Sequence, residues 1–333
     1  MSTLYPRLRR GRDVGPYINA LFGIMVSEKQ KNKRDLLSIL DLTREEVDEL
    51  LERTSELKEK LKQGVPSQPL KGKTLAMIFT KSSTRTRVSF EVGMSQLGGQ
   101  AIFLDSRDIQ LGRGESLADT ARTLSRYVDG ILIRTFSYAD VEELARYAEV
   151  PVINGLTDLL HPCQILSDIY TIVERRGSYQ GLKVAHIGDG NNIANSWIQA
   201  AALLGFDLSI ACPLNYEPDR NILNEALKIT SSQITILHDP REAVKDVEVL
   251  STDVWTSMGQ EAEREQRIRD FQGFQVNREL LSFAPPDVMV MHCLPAHRGE
   301  EITGEVLDGK HSIVFEQAEN RLHLQKAILE KFL

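Results

Sequence analysis

The sequence predicts an α/β protein built from two doubly wound domains, each a mostly parallel sheet with helices on both faces. The chain has 333 residues, which is long enough for two domains. Short apolar runs typical of strands alternate with helical stretches, an order that favours parallel sheets. This alternation stops at a polar segment near residues 175–181 and restarts at 184. We therefore expect two domains with a ligand site in the cleft between them.

The first predicted element is an amphipathic helix over residues 44–62. Thr43 precedes it and Glu46 follows three residues later, which is the pattern of a capping box. Apolar side chains then recur at helical spacing. Beyond this helix, the strands predicted in the first domain are 75–79, 100–104, 130–134 and 150–154, and the helices are 85–97, 116–128, 138–148 and 162–175.

The second domain repeats the same alternation after the polar segment. Its predicted strands are 184–187, 208–211, 234–237, 247–250 and 288–291, with helices that include 218–229 and 240–244. A last helix over 320–333 is expected to pack back on the first domain. The predicted boundaries are an extension over 1–32, a first domain over 33–178, a second over 179–319 and the final helix over 320–333.

The first 32 residues stand apart from this pattern. Arg7, Arg9, Arg10 and Arg12 precede a short apolar stretch, and no convincing small-residue cleavage site follows. We interpret the segment as a flexible extension, with a weak targeting peptide as the alternative.

Composition and charge exclude several classes of protein. The formal net charge of −7 opposes binding to nucleic acid and to anionic membranes. No apolar run approaches the roughly 20 residues that span a bilayer. The three cysteines include no CxxC pair, so neither a disulfide framework nor a structural zinc site is indicated. We expect a cytoplasmic protein with no metal and no cofactor.

The segment Ser82–Arg87 predicts a phosphate site. It follows an apolar strand and opens a helix, where free backbone N–H groups and the helix dipole favour an anion. Hydroxyls and two guanidiniums add further donors, although the glycines of a nucleotide P-loop are missing. The alternative is an ordinary Ser/Thr helix cap with solvated arginines.

Two further polar positions are predicted at the same edge of the first sheet. Arg134 ends one strand, and His161 with Gln164 opens a helix after another. Ligands of open α/β sheets bind beyond the carboxyl ends of the strands, so these residues point to one mouth. His161 and Gln164, one turn apart, could present hydrogen-bond donors to a single oxygen.

Taken together, these motifs resemble the aspartate/ornithine carbamoyltransferase family. In the first domain the matching segments are Ser83–Arg87, Gly114–Ser116, Asp119–Arg122, Arg134 and His161–Gln164. In the second domain the segments Gly188–Asn192, Asp253–Gly259 and His292–Ala296 are similar to the ornithine branch of the family. The resemblance covers about residues 33 to 333.

The resemblance implies transfer of a carbamoyl group from carbamoyl phosphate to the δ-amine of L-ornithine, giving L-citrulline in arginine biosynthesis. It implies a homotrimer or a multiple of trimers in which Gln110 serves a neighbouring subunit's site. The residues it assigns to carbamoyl phosphate are Ser83, Thr84, Arg85, Thr86, Gln110, Arg134, His161, Pro162, Cys163, Gln164, Cys293, Leu294 and Arg321, and those it assigns to ornithine are Asn192, Asp253, Ser257 and Met258. Arg113 and Gly114 depart from the family pattern and carry no assigned role.

The residue types suit this chemistry. Attack of an amine on the carbamoyl carbon creates a tetrahedral oxyanion, and the phosphate needs charge neutralisation to leave. Arg134 and His161 are therefore candidate catalytic residues. The attacking amine must be unprotonated, although the pKa of a similar lysine amine is about 10.4. We hypothesise that Cys293 contacts this amine and orients or deprotonates it, while Asp253 pairs with the α-ammonium group.

Other readings remain. The turn Gly188-x-Gly190 after a strand suggests a dinucleotide-dependent dehydrogenase, but the third glycine and the acidic ribose partner are missing. A binding or scaffold protein without activity is a third class. Within the family, the acceptor could instead be putrescine, N-acetylornithine or aspartate. Putrescine would leave Asn192 without a carboxylate, and an acetylated amine would leave Asp253 without a cation.

Overall fold

The structure is a computed structural model that describes residues 33–333. The extension predicted over 1–32 lies outside the described residues. Two sheets are present, and every strand pair in both is parallel. The predicted fold class is confirmed. The strands are β1 (Thr74–Phe79), β2 (Gln100–Asp105), β3 (Gly130–Arg134), β4 (Val152–Leu156), β5 (Lys183–Ile187), β6 (Asp207–Ala211), β7 (Ile234–Leu237), β8 (Val249–Thr252) and β9 (Met289–His292).

Helices connect and cover the strands. Short 3₁₀ turns occur at Ile39–Asp41, Gln110–Arg113 and Glu261–Glu263. Among the described residues, none of the helices is both long and apolar enough to cross a bilayer. The helices are α1 (Arg44–Lys62), α2 (Thr84–Gln96), α3 (Leu117–Leu124), α4 (Tyr138–Tyr147), α5 (Pro162–Arg176), α6 (Asn192–Leu204), α7 (Arg220–Ile229), α8 (Pro240–Ala243), α9 (Arg264–Asp270), α10 (Arg278–Leu281), α11 (Gly304–Leu307) and α12 (Val314–Phe332).

Local sequence signals account for where several helices begin. The capping box predicted for α1 is present, since Thr43 Oγ1 accepts from Glu46 N–H at 3.2 Å and the Glu46 carboxylate accepts from Thr43 N–H at 3.1 Å. Helix α5 starts with Pro162 at its first position, where a missing N–H costs nothing, and ends at Gly177 with a φ of 88°. Both ends of α5 are therefore determined locally.

The order of the strands gives each sheet one switch point, where the chain reverses its direction across the sheet. The first sheet runs β2-β1-β3-β4 and the second runs β7-β6-β5-β8-β9. The chain changes direction across the sheet between β1 and β3 in the first sheet and between β5 and β8 in the second. A crevice opens at each such switch point, beyond the carboxyl ends of the two adjacent strands.

Helix α12 packs on the first half of the chain although it follows the second sheet. It contacts α1, α2 and α5. It begins at Val314, six residues before the predicted start at Asn320. The early turns were missed because residues 314–319 bury one apolar side chain, Val314, and the polar Gln317, so the apolar period is weak there.

Smaller differences in boundaries also have local causes. Strand β4 starts at Val152 rather than 150, because Pro151 has no N–H to donate to a ladder. Helix α3 ends at Leu124, four residues before its predicted end. Val128 is buried and its N–H is bonded to the Leu124 carbonyl, so the apolar period continues past the helix. Strand β8 lies two residues later than predicted, at Val249–Thr252.

Candidate active site

A cleft of about 1660 Å³ lies between the two sheets and receives side chains from both. From the first half it is lined by the loop after β1, the end of β3 and the start of α5. From the second half it is lined by the loops after β5, β8 and β9. The switch points of both sheets therefore open into one cleft, as the sequence predicted for a ligand site.

The loop after β1 forms an anion cradle. Ser83 caps α2, and its Oγ accepts from Thr86 N–H at 3.2 Å. Ser82, Ser83, Thr84 and Arg85 all line the cleft. The first-turn N–H groups of a helix have no intrahelical acceptor, so the start of α2 offers donors and a partial positive charge to the cleft. The helix-cap interpretation is confirmed by the Ser83 bond, and the phosphate-site interpretation stays a prediction.

Arg87 does not belong to this cradle. Its Nε donates to Glu91 at 3.0 Å, and its guanidinium lies 3.7 Å from the centre of the Phe103 ring. Two residues along a helix turn the side chain by roughly 200°, so Arg85 and Arg87 point to opposite sides. Of the two guanidiniums that the sequence suggested here, Arg85 alone lines the cleft.

Two more arginines share the cleft with Arg85. Burial, with repulsion from Arg321 and Arg85, lowers the pKa of Arg134 to about 9. Burial also lowers the pKa of Arg321 to about 10, with a further contribution from Arg85. Arg321 is anchored by a 2.9 Å bond from Nη2 to Thr86 Oγ1. The lowered pKa values show that holding three positive charges close together is unfavourable. The site therefore favours a bound anion that carries more than one negative charge.

His161 is neutral in this environment. Burial and the nearby arginines, Arg321 and Arg134 first among them, lower the pKa of its imidazole well below the usual value. A neutral ring can donate one hydrogen bond to an oxygen but is a poor general acid. Nδ1 of His161 is buried with no partner in the described part of the chain. His161 N–H donates to Ser196 Oγ at 2.8 Å, which fixes the backbone at the start of α5.

Gln164 presents an acceptor rather than a donor. Its Nε2 donates to Asp168 Oδ1 at 2.8 Å, while its Oε1 is buried without a partner among residues 33–333. The joint donation to one oxygen that the sequence suggested for His161 and Gln164 is therefore wrong for Gln164. The unpartnered Gln164 Oε1, His161 Nδ1 and Arg134 Nε belong to three residues that line the same cleft. Buried polar atoms rarely stay unpaired, so together they indicate a polar ligand.

The second half contributes a carboxylate and a thiol. Cys293 Sγ donates to Asp253 Oδ1 at 2.9 Å, and Asn191 Nδ2 donates to Asp253 Oδ2 at 2.8 Å. Asp253 follows β8 directly and Cys293 follows β9, so adjacent strands bring them together. Burial and the Asp253 charge raise the pKa of the Cys293 thiol well above its usual value. The thiol is therefore protonated at neutral pH.

The backbone of the Cys293 loop is held in an unusual conformation. Leu294 has a φ of 58°, which is rare for a residue with a side chain. Its N–H donates to His292 Nδ1 at 2.8 Å, and the other ring nitrogen of His292 lies 3.1 Å from Glu301 Oε1. Because Nδ1 accepts, the ring proton is on Nε2 and points to Glu301. This pair positions Leu294 and Cys293 at the cleft wall.

The predicted residues divide into those that line the cleft and those that do not. Asn192 lines it and also donates from Nδ2 to the Thr157 carbonyl at 2.6 Å, joining the two halves. Thr86, Gln110, Pro162 and Cys163 are not on the wall, and the Cys163 thiol faces the Asn154 carbonyl instead. The predicted residues on the wall are Ser83, Thr84, Arg85, Arg134, His161, Gln164, Asn192, Asp253, Ser257, Met258, Cys293, Leu294 and Arg321.

Sequence reasoning missed several charged residues of the cleft. Lys81 pairs with Asp158 and lies 4.4 Å from the centre of the Phe136 ring. Arg267 pairs with Asp189 at 2.9 Å, and burial raises the pKa of that carboxyl to about 6. Lys81 could have been found from its position between β1 and the Ser82–Arg87 segment. Arg267 gave no such signal, because it lies 78 positions from its partner.

Within residues 33–333, two groups of side chains have the spacing of metal ligands. Asp253, His292 and Cys293 bring ligand atoms within 4.8 Å of one another, as do His297, Glu300 and Glu301. In the first group both ring nitrogens of His292 are occupied by protein partners and the thiol is protonated. In the second group Glu300 pairs with Arg264 and Glu301 binds His292. These existing contacts do not favour a metal at either place.

The protonated state of Cys293 leads to a testable prediction. A thiolate, and not a thiol, reacts with iodoacetamide, and a free thiol has a pKa of about 8.5. Because the folded pKa of Cys293 is raised, the thiol stays protonated below it, and alkylation should keep accelerating beyond about pH 9. Asp253→Asn removes one cause of the shift, so its alkylation profile should move to lower pH. Mass spectrometry of the Cys293 peptide measures both, and a wild-type midpoint at or below about 8.5 would contradict the expectation.

Both halves of the chain match known family models. Residues 34–174 match the carbamoyl-P binding domain of aspartate/ornithine carbamoyltransferase, and residues 180–332 match its Asp/Orn binding domain.

Curated relatives and solved structures agree with these matches. The chain is 61% identical over 298 residues to the ornithine carbamoyltransferase of Syntrophus aciditrophicus, covering 90% of this chain and 99% of the relative. It is 57% identical over 300 residues to that of Geobacter sulfurreducens, with the same coverage. The structure of ornithine carbamoyltransferase from Pyrococcus furiosus matches with a TM-score of 0.85 at 55% identity, over 89% of this chain and 96% of that one. An anabolic enzyme of that name from Campylobacter jejuni matches with a TM-score of 0.84 at 44% identity, over 89% and 97%.

Proposed function

Because the chain belongs to the aspartate/ornithine carbamoyltransferase family, we propose that it transfers the carbamoyl group of carbamoyl phosphate to the δ-amine of L-ornithine. The products are L-citrulline and phosphate. A nitrogen–carbon bond forms first, the bond between the carbamoyl carbon and the phosphate oxygen then breaks, and the proton lost by the amine leaves with the phosphate. The observation that carries the proposal is the pairing, in one cleft, of a three-arginine anion site with a carboxylate–thiol pair.

Carbamoyl phosphate is assigned to the first half of the cleft. The start of α2 and Arg85 hold the phosphate, and Arg134 and Arg321 offset its charge. His161 donates to the carbamoyl oxygen, where the negative charge of the tetrahedral intermediate develops. Gln164 Oε1 accepts from the carbamoyl nitrogen. Arg134, His161 and Gln164 each have a side-chain atom that is buried and unpartnered in the described chain, which supports their roles.

Ornithine is assigned to the second half. Asp253 pairs with the α-ammonium group, and Asn192, Ser257 and Met258 surround the amino-acid end. This fixes which of the two amines reaches the carbamoyl carbon. Since the Cys293 thiol is protonated and donates to Asp253, Cys293 orients the attacking amine and does not serve as a thiolate base.

The rival readings fit the cleft less well. A Cβ at Gly190 would come within 2.3 Å of Pro218 N and 2.4 Å of the Glu217 carbonyl carbon, so this glycine is needed for a contact within the chain itself and not for a dinucleotide. A scaffold protein gives no reason to keep three arginines together, two of them, Arg134 and Arg321, buried. An acetylated ornithine would bring no cation to Asp253, and putrescine would bring no carboxylate to Asn192.

The assembly, location and division of labour are part of the proposal. A homotrimer or a multiple of trimers, with Gln110 serving a neighbour, is supported by the position of Gln110 outside its own cleft. A cytoplasmic location is supported by three free thiols. A biosynthetic direction is supported by the anabolic relative. We assign binding of carbamoyl phosphate to residues 33–178 and binding of ornithine to residues 179–319. We assign residues 320–333 to a helix that packs back on the first domain.

The decisive assay measures carbamoyl transfer from carbamoyl phosphate to a panel of amines. We expect citrulline with L-ornithine, and rates at least about a hundredfold lower with putrescine and N-acetylornithine, because each leaves a buried polar group unpaired. L-Aspartate serves as the acceptor of the other family branch. A dominant rate with putrescine would overturn the acceptor, and no phosphate release with any amine would overturn the activity.

A further inference from the structure

A buried carboxyl group lies behind the cleft and is not among the residues assigned to either substrate. Asp168 is on α5, one turn beyond Gln164, and is 1% exposed. Its Oδ1 accepts from Gln164 Nε2 and from Gln317 Nε2, each at 2.8 Å. Gln317 lies on α12, and its Oε1 accepts from His292 N–H at 2.9 Å. A continuous path of hydrogen bonds thus runs from Gln164 to the residue that precedes Cys293.

The carboxylate determines how both amides are turned. An amide group has nearly the same shape after its oxygen and nitrogen are exchanged, so packing alone does not choose between the two orientations. Asp168 Oδ1 accepts from both glutamines, and it can do so whether or not the other carboxyl oxygen carries a proton, so each glutamine turns its nitrogen toward Asp168. The oxygen of Gln164 is then left for the cleft, and the oxygen of Gln317 is left for His292.

We propose that Asp168 is a positioning residue for carbamoyl transfer: it holds Gln164 with its oxygen toward the carbamoyl nitrogen and, through Gln317, sets the start of the Cys293 loop. This inference rests on the proposed function, because it assumes that the ligand carries an –NH₂ group beside its phosphate. Asp168 itself touches no substrate. It acts through two glutamines on two different helices.

The surroundings of Asp168 favour this role over a purely structural one. Burial raises the pKa of the Asp168 carboxyl to about 7, and the charge of Asp253 also raises it. The hydrogen bonds from Gln317 and Gln164 and the charge of Arg321 act in the opposite direction. A buried charge is costly to the fold, and an apolar side chain of similar volume would avoid this cost. Retaining a carboxyl group here is explained if its Oδ1 acceptor is needed to orient Gln164.

The experiment compares the affinities of carbamoyl phosphate and inorganic phosphate. Phosphate reaches the arginines and the start of α2 but has no –NH₂ group for Gln164. In Asp168→Asn the carboxyl group is replaced by an amide that can present either its oxygen or its nitrogen, so Gln164 is free to turn. We expect calorimetry to give about tenfold weaker binding of carbamoyl phosphate, the size expected for one lost hydrogen bond, with phosphate binding unchanged. Asp168→Leu, which keeps the same branched arrangement of side-chain heavy atoms without any acceptor, should behave alike.

Glu174→Gln is the matched control. It makes the same carboxylate-to-amide change on the same helix, in a polar cluster with Lys58 and Asn320 away from the cleft. It should leave the affinity ratio of the two ligands unchanged, whatever it does to the melting temperature.

The other outcomes show which of the two proposals has failed. An unchanged affinity ratio in both Asp168 variants would overturn the positioning role. So would loss of folding in both of them while Glu174→Gln folds. Wild-type protein that binds carbamoyl phosphate no better than phosphate would instead overturn the proposed function.

Discussion

Asp253→Asn is expected to lower kcat/KM for ornithine about a thousandfold, because breaking a buried ion pair by removing one partner costs about 3–5 kcal/mol. Asp253 is 7% exposed, so water replaces its charge poorly. The variant also weakens the acceptor of the Cys293 thiol at 2.9 Å, so the attacking amine is less well oriented. Carbamoyl phosphate binds at the arginines and its affinity should not fall. Steady-state kinetics with ornithine, together with calorimetry of carbamoyl phosphate, measures both effects.

Asp219→Asn provides the comparison for this variant. Asp219 caps α7 through its side chain, and asparagine caps helices as well as aspartate does. Its kinetics should equal those of the wild type. If kcat/KM for ornithine falls less than about tenfold in Asp253→Asn, the proposed contact with the α-ammonium group is wrong, because removing one partner of a buried ion pair has a larger effect.

Arg85→Ala is expected to weaken binding of carbamoyl phosphate about a hundredfold or more, because each hydrogen bond to a charged group contributes about 1.5–3 kcal/mol and a guanidinium makes two with a phosphate. Removing Arg85 also relieves its repulsion of Arg134 and Arg321, which offsets only part of the loss. The KM for ornithine should change little when carbamoyl phosphate is saturating. Calorimetry at constant ionic strength measures the affinity, since salt screens this interaction.

Arg87→Ala tests whether the effect of Arg85→Ala comes from its place in the cleft or only from loss of a positive charge on α2. It removes the same charge two residues along α2, from a side chain that pairs with Glu91 and covers the Phe103 ring. Exposed pairs of this kind contribute up to about 1 kcal/mol to stability, so its melting temperature should fall slightly. Its affinity for carbamoyl phosphate should stay within about threefold of the wild type, because water and salt screen an exposed charge that lies outside the cleft. Equal losses in the two variants would contradict the assignment of Arg85.

Much of the fold and part of the site could be predicted from local patterns. The capping box at Thr43 and Glu46 placed the start of α1 correctly, and the apolar runs located all nine strands of the described chain to within about two residues. The family that the motifs resembled is confirmed. The first six residues of α12 were missed because they bury one apolar side chain, Val314, and an apolar period is the signal that the prediction uses.

The chemistry of the site needed partners that are far apart in sequence. Cys293 and Asp253 are 40 positions apart, and Asp168 and Gln317 are 149 positions apart. Nothing in the His161–Gln164 segment indicates whether the oxygen or the nitrogen of Gln164 faces the ligand. That choice depends on Asp168, and the sequence reasoning therefore assigned Gln164 a donor role that the structure reverses.

The sequence by itself determined which residue types stand at strand ends and helix starts, because capping, apolar period and turn chemistry act over a few neighbouring residues. The order of strands decided what those residues can do. Placing β1 beside β3 and β5 beside β8 opens both crevices into one cleft and brings three arginines and a carboxylate–thiol pair within reach of one ligand. The direction of each pKa shift then follows from burial and from charges on other elements, which only the tertiary structure sets.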